Sequence, residues 1–487
     1  DGLDTGGPGR AQPCRNQFKT MNPSLLANAI NRRAFLAGSG LCLGSAALNS
    51  LFARDVAKPN FLLPKAKAKR VIFLCMAGGP SHLETFDYKP KLDELHGQPM
   101  PESFTKGQPI AQLQGKELKV QGHLTKFKKY GQGEQYVSDY LPWTAKMADD
   151  ISIVRSMVTE QINHDPAHTF MNTGTAISGR PSMGAWVNYG LGSEAEDLPG
   201  FVVMTSVGGR NPQPIASRQW SAGFLPSKFQ GVEFNSTGDP VHYVRNPKGV
   251  SASHQKKLVD AITALDRHRN QAINDPETDT RIAAYEMAFK MQTSVPELMD
   301  TSGEPQHILD MYGAVPGDGS YASNCLLARK LAEKGVRFIH LYHRGWDHHG
   351  GLEKYMGQCC QLTDKPTWAL IQDLKQRGML DDTLVVWGGE FGRTPMYQGK
   401  GEIGRDHHIK GFSMWMAGGG TKGGFGYGET DELGYHAIKD KVHVHDMHAT
   451  MLHLLGIKHE FFTVKHQGLD WKLTGVDHSH VIKDLIA

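Results

Sequence analysis

Imidazole and carboxylate side chains fall close together at a few places in this chain, and those places define the chemistry open to it. The segments are His164-Asp165-Pro166-Ala167-His168, Trp346-Asp347-His348-His349, Gly389-Glu390 and Arg405-Asp406-His407-His408, with Glu84 and Asp87 earlier in the chain. Fifteen of the 24 histidines lie at or after His340. Neutral imidazole and carboxylate oxygen are ordinary ligands of divalent cations. If the segments converge, Asp87, Asp347, His348, His349, Glu390, Asp406, His407 and His408 are candidate metal ligands. One or two ions of zinc, calcium, magnesium or manganese suit that set. Two ions about 4 Å apart would clamp the attacking and leaving oxygens of a phosphate or sulfate ester. Each fragment alone also has a plainer reading: a surface His-His pair, an Asp-His helix cap, or a structural ion pair between Glu390 and Arg393. For Val442–His448 the plainer reading is preferred. Asp446 is expected to cap a short helix through Met451, Leu452 and Leu455 that Gly456 stops.

The elements that must position these groups are legible as short apolar runs. Val71–Met76, Ile151–Val154, Phe201–Met204, Val336–Tyr342, Leu384–Trp387 and Phe412–Ala417 read as strands buried on both faces. Ala322–Lys334 and Leu362–Arg377 read as helices, the second stopped by Gly378. The alternation predicts an α/β fold, a mostly parallel central sheet with helices on both faces. Ligands in open α/β sheets bind beyond the carboxyl ends of the strands, and most of the polar clusters sit there. Residues 65–487 are expected to form a single domain. The stretch from about 205 to 313 differs. It begins Gly/Pro/Ser-rich and turns helical, with Leu258, Ile262 and Leu265 at i, i+4, i+7, which predicts an insertion or cap over the sheet.

Composition bounds the rest. A chain of 487 residues with 39% hydrophobic and 21% charged residues is globular, not disordered, collagen-like or polytopic. The formal charge is +3, but the first 58 residues hold seven Lys/Arg and three Asp/Glu; the remainder carries 46 against 47, a net −1. A near-neutral body gives no electrostatic case for nucleic acid or an anionic membrane. Asn31-Arg32-Arg33-Ala34-Phe35-Leu36 opens an apolar stretch to Phe52 that Gly38, Ser39, Gly40, Gly44, Ser45 and Asn49 interrupt. The stretch is weak as a membrane span and suits a twin-arginine export signal within residues 1–58. The expected partner is the twin-arginine machinery, the expected location periplasmic or extracellular, and no stable span is expected in the mature form. Met21 would be a natural initiator, with residues 1–20 as upstream sequence. Of the six cysteines, Cys14 and Cys42 precede the body. Cys75, Cys325, Cys359 and Cys360 show no metal-ligand spacing and read as buried thiols.

A family resemblance rests on Asn-Arg-Arg-Ala-Phe-Leu at 31–36, Met-Ala-Gly-Gly-Pro-Ser-His at 76–82, Thr-Phe-Asp-Tyr-Lys-Pro at 85–90 and His-Asp-Pro-Ala-His at 164–168. Gly-Arg-Pro-Ser-Met-Gly-Ala-Trp at 179–186, Trp-Asp-His-His at 346–349, Gly-Gly-Glu-Phe-Gly-Arg-Thr-Pro at 388–395 and Gly-Arg-Asp-His-His at 404–408 complete it. With these motifs the chain resembles the exported proteins labelled domain of unknown function 1501, which are similar to the sulfatase and alkaline-phosphatase superfamily. The resemblance implies an early metal carboxylate at Asp87 or Glu84, an Asp-His metal pair at Asp347 with His348 or His349, and a late histidine at His407 or His408. Two positions depart. Gly389-Glu390 stands where the superfamily carries Asp-His. His164–His168 stands where sulfatases carry a Cys or Ser nucleophile followed by arginine, so formylglycine chemistry is not expected.

The catalytic candidates are therefore His164, as nucleophile or metal ligand; Asp165, beside it in the same segment; His168, as general acid or base; and Arg393, as a bidentate clamp on an oxyanion. Thr169, Thr173 or Ser81 would be the source of a hydroxyl nucleophile. Attack by a metal-activated water requires the fewest missing parts. The expected function is an exported metal-dependent hydrolase of a sulfate or phosphate ester on a small molecule or polysaccharide. The alternatives are a catalytically lapsed fold that binds carbohydrate or protein, and a metal-storage protein of the envelope.

Overall fold

Apolar runs buried on both faces cannot sit at the surface, and here they form the middle of a nine-stranded sheet. The computed structural model of the chain describes residues 60–487, apart from 210, 242–245, 247, 248 and 400. The arginine pair and the apolar leader lie outside the described residues. The strands are β1 Arg70–Met76, β2 Ile151–Val158, β3 Phe201–Thr205, β4 Val232–Phe234, β5 Phe338–His343, β6 Thr383–Gly388, β7 Phe412–Ala417, β8 Phe425–Tyr427 and β9 Val442–His443. Their spatial order is β8-β2-β7-β6-β1-β5-β3-β4, with β9 also paired to β2. Six of the nine carry apolar runs legible in the sequence.

All pairings in this sheet are parallel except those of β7, which runs antiparallel to both β2 and β6. That exception matters for the site. The start of β7 lies at the same edge of the sheet as the carboxyl ends of its neighbours, so residues just before β7 meet residues just after β2, β1, β5 and β6.

The longer helices are α1 His164–Thr173, α2 Met183–Leu191, α3 Ala252–Ile273, α4 Pro276–Met299, α5 Gln306–Tyr312, α6 Tyr321–Glu333, α7 Leu352–Gln376 and α8 Val444–Leu454. Alternate residues of β1 feed two separate cores. Ile72, Leu74 and Met76 pack beneath α4 to α7, whereas Val71, Phe73 and Cys75 pack beneath α1, α2 and α8. Both faces are thus covered, as a parallel sheet requires. Cys75, Cys325, Cys359 and Cys360 are free and buried. Among the described residues, no helix is long and apolar enough to cross a membrane.

Three local readings change. α7 begins at Leu352 and not at Leu362; its first turns bury Leu352, Met356, Cys359 and Cys360, but intervening polar residues hide the pattern. α8 is capped by His443, not Asp446. The His443 ring accepts the His445 N–H, and the Asp446 carboxylate, three positions after the cap, accepts the His443 N–H at 2.9 Å, a capping box. Within 205–313, Val232–Phe234 pairs with β3, so the stretch supplies an edge strand as well as the α3–α4 hairpin. Leu258, Ile262 and Leu265 are 49%, 37% and 69% exposed, while Met291, Val295 and Leu298 of α4 enter the core.

Asp364 of α7 holds the turn that leads into β2. Its carboxylate accepts the Trp143 N–H at 2.7 Å, the Thr144 N–H at 2.8 Å and the Thr144 hydroxyl at 2.6 Å. Removing a buried acceptor strands its donors. Asp364→Ala is expected to lower stability by about 1–3 kcal/mol for the stranded donors, read as a lower urea midpoint at unchanged slope. An unchanged midpoint would refute this role.

Candidate metal centre

The loops beyond β1, β5 and β6, the start of α1 and the segment before β7 meet at one edge of the sheet. Two groups of ligand-type side chains form there. His164, Asp347, His349 and His407 make one; His164, His168 and Glu390 make the other; within each, one donor atom per residue lies within 4.8 Å of the rest.

Asp347 is the centre of the first group. A single carboxylate oxygen, Oδ1, lies 3.0 Å from His349 Nε2, 3.3 Å from His164 Nε2 and 3.4 Å from His407 Nε2. The same oxygen accepts a hydrogen bond from Arg393 at 2.7 Å. Burial alone would raise the Asp347 carboxyl, but the three neighbouring histidines and the Arg393 charge outweigh it and hold its pKa far below the ordinary range.

Each imidazole has an oxygen acceptor behind it. His164 Nδ1 is 2.6 Å from Glu390 Oε1, His349 Nδ1 is 2.6 Å from Gln398 Oε1, and His407 Nδ1 is 2.7 Å from the Ile162 carbonyl. A carbonyl, an amide oxygen and an ionised carboxylate can only accept, so the tautomers assigned from these partners place a proton on every Nδ1 and a lone pair on every neutral Nε2. The Nε2 atoms of His349 and His407 then face each other at 2.9 Å. Two lone pairs at that separation repel unless a proton or another cation lies between them. His164 Nε2, though close to Asp347, is buried and has no hydrogen-bond partner among the described residues.

Glu390 anchors the second group. It is fully buried and accepts the Gly78 N–H at 3.1 and 3.2 Å on its two oxygens. His168 Nε2 lies 3.3 Å from Oε1. Burial would raise the Glu390 carboxyl, yet the neighbouring His168 and His164 bring it to about 2. Burial lowers His164, but the neighbouring Asp347 and Glu390 carboxylates more than reverse this and raise its pKa. His407 goes to about 4, chiefly through burial. The ring of Phe391 packs on His164 and His407, with centroids 5.0 and 4.6 Å away, and closes the floor of the cluster to water.

Other candidate residues lie outside both groups, each for a visible reason. Arg393 is 1% exposed, and its guanidinium is taken up by the Gly79, Gly78 and Arg405 carbonyls as well as Asp347, which leaves it poorly placed to clamp a substrate oxyanion. Asp87 bonds Thr430 and pairs with Lys89 at 3.1 Å. Glu84 makes a fully buried bidentate pair with Arg405. Asp165 pairs with Arg218 at the surface. Asp406 ties a loop down: Oδ2 accepts the N–H of Gln112 and Leu113 at 2.6 and 2.8 Å, and Oδ1 accepts the His407 N–H at 2.9 Å. His348 is buried 3.9 Å from the Cys359 thiol, and burial takes it to about 3. His408 bonds the Tyr435 carbonyl and goes to about 3 for the same reason. The hydroxyls of Ser81, Thr169 and Thr173 bond Glu84, the Asp165 carbonyl and the Thr169 carbonyl. Sequence reasoning missed Gln112 and Gln398. Both lie in loops without a motif, and only the fold brings them to His349.

Arg393→Gln is expected to cost about 3–5 kcal/mol of stability, because it removes a buried guanidinium and leaves the partly buried Asp347 carboxylate without its strongest partner. Chemical denaturation measures this. Full stability with a raised KM would instead mark Arg393 as a substrate clamp.

The family model described as Protein of unknown function (DUF1501) matches residues 68–486. No curated protein matches the chain. Among solved structures, the chain is similar to a protein in the alkaline phosphatase superfamily from Vibrio parahaemolyticus, at 10% identity and a TM-score of 0.36 over 84% of this chain and 73% of the other. It is similar to the lipoteichoic acid synthase LtaP of Listeria monocytogenes at 12% identity and a TM-score of 0.35, over 82% and 75% of the two chains. It is also similar to the PsFucS1 sulfatase of Pseudoalteromonas sp. at 12% identity and a TM-score of 0.33, over 85% and 71%.

Proposed function

This chain belongs to the DUF1501 family, and we propose that it is an exported, metal-dependent hydrolase of a sulfate or phosphate ester. The observation that carries the metal is the convergence of three imidazole Nε2 atoms on Asp347 Oδ1, each ring held from behind at Nδ1 by an oxygen acceptor. Metal-ligating histidines are oriented in this way, and the outer partner fixes the tautomer that binds. The donor chemistry fits one divalent ion held by His164, Asp347, His349 and His407. Three nitrogens with one carboxylate favour zinc, manganese or iron over calcium or magnesium, which prefer oxygen. When bound, such an ion polarises an ester oxygen and lowers the pKa of water.

The chain's own residues do the rest. Glu390 holds the Nδ1 proton of His164, the Ile162 carbonyl holds that of His407, and Gln398 holds that of His349. Phe391 excludes water beneath the rings. His168, fully buried behind Glu390, steadies that carboxylate and is closed off from solvent. The ester class rests on the resemblance of the motifs to sulfatases and phosphatases, and export rests on the arginine pair at Arg32 and Arg33. One observation favours a second reading, a lapsed fold that binds carbohydrate or protein. Ser81, Thr169 and Thr173 spend their hydroxyls elsewhere, so none of the three candidate hydroxyls is poised as a nucleophile.

Folded, dialysed protein is expected to retain about one equivalent of a transition metal by elemental analysis, the number a single four-ligand site holds. His349→Ala and His407→Ala should lose it, and Glu390→Gln should weaken binding by about 10–100-fold as an outer-shell change. Hydrolysis of aryl sulfate or phosphate esters should disappear with the metal. A folded wild-type protein that holds no metal overturns the metal reading. Metal without turnover on either ester moves the assignment to the binder.

A further inference from the structure

We infer that Gln112 guards the open side of the proposed metal site, capping the free nitrogen of His349 and yielding it when an ion enters; the inference rests on the metal reading above. The four donors are not equally accessible. The side chains of His164, Asp347 and His407 are 15%, 17% and 5% exposed, and that of His349 is 22% exposed, so an ion from solvent meets His349 first. Gln112 stands at that point. It is exposed, and its side-chain nitrogen lies 3.2 Å from His349 Nε2.

The directions of the hydrogen bonds close a ring. The His349 Nδ1–H donates to Gln398 Oε1, the Gln398 amide nitrogen donates to Gln112 Oε1 at 3.0 Å, and the Gln112 amide nitrogen donates to His349 Nε2. Every donor in the ring meets an acceptor, so the two amide orientations and the His349 tautomer support one another. The capped atom is the lone pair that would bind metal. A ligand atom engaged by an amide N–H cannot also hold a cation, so Gln112 competes with the ion for His349. The cap is not an accident of a loose loop. The main chain at Gln112 and Leu113 is fastened to Asp406 Oδ2, and the other oxygen of that carboxylate holds the His407 N–H. Asp406 thereby fixes the loop relative to the ligands, and the Gln112 side chain alone must swing aside.

Cobalt(II) is a suitable probe, because its visible absorption reports coordination directly and needs no turnover. Titrated into the metal-free full chain, Gln112→Ala is expected to bind cobalt about fivefold tighter than wild type, the equilibrium worth of one neutral hydrogen bond, and to associate faster in stopped flow. Lys116→Ala, an exposed change in the same loop, should bind as wild type does. Equal or weaker cobalt binding by Gln112→Ala, with wild type still binding, overturns the guarding role and leaves the metal site standing. Tighter binding by both variants assigns the effect to the loop in general and also overturns it. No cobalt absorption from any of the three proteins overturns the metal reading itself.

Discussion

A buried guanidinium holds the carboxyl edge of this sheet together. Arg393 reaches the carbonyls of Gly78 and Gly79 beyond β1, the Asp347 carboxylate beyond β5, and the Arg405 carbonyl on the segment that leads to β7. Loops that leave separate strands have no hydrogen-bond ladder of their own at this edge. A planar cation with five donors in a fixed fork can satisfy several of them at once. The loops pack so tightly that Gly78 has no room for a side chain. It takes φ +122°, and a Cβ there would stand 2.4 Å from the Asp347 nitrogen. Its N–H goes to Glu390 and its carbonyl to Arg393, so one residue without a side chain links both carboxylates of the site.

This arrangement changes how the charges are read. An arginine among carboxylates near a cluster of histidines invites a role in binding an anionic substrate. Its burial and its carbonyl partners make it part of the scaffold instead. The buried Arg405–Glu84 pair does the same work one layer out and ties the loop after β1 to the residue just before Asp406. Two arginines and two glycines account for the placement of the acids, and the histidines then orient against those acids.

Much of the fold was legible because a strand buried on both faces has a simple signature, a short run of apolar residues. β1, β2, β3, β5, β6 and β7 all show it, whereas the edge strands β4, β8 and β9 are two or three residues long and carry none. Asp347, His349, Glu390 and His407 were legible as chemistry because they sit beside such runs. What sequence could not supply was the difference between neighbours. His348 and His349, or His407 and His408, are adjacent and identical in type, and only backbone direction decides which ring enters the cluster. Nor could it supply partners without a side-chain signal, such as the Ile162 carbonyl behind His407. The stripe Leu258, Ile262 and Leu265 shows the opposite failure: a helical period read correctly, on a face that meets solvent.

The reversed strand β7 also sets an order of events. It lies between β2 and β6, and β2 leads to the helix that carries His164 and His168, whereas β6 leads to Glu390 and β1 and β5 lie beyond it. Until Phe412–Ala417 inserts, the sheet is two unconnected pieces with the ligands divided between them. Trp415 pairs with Ile153 and Trp387, contacts that span most of the described chain in one case and a few dozen residues in the other. Long-range pairings of that kind form late, since the loops that allow them are costly to close. During synthesis the strand that unites the halves thus emerges after all the others of the sheet except the short strands β8 and β9. Assembly of the cluster becomes a checkpoint on the finished fold, and a chain interrupted short of residue 412 would hold the histidines without the centre they make.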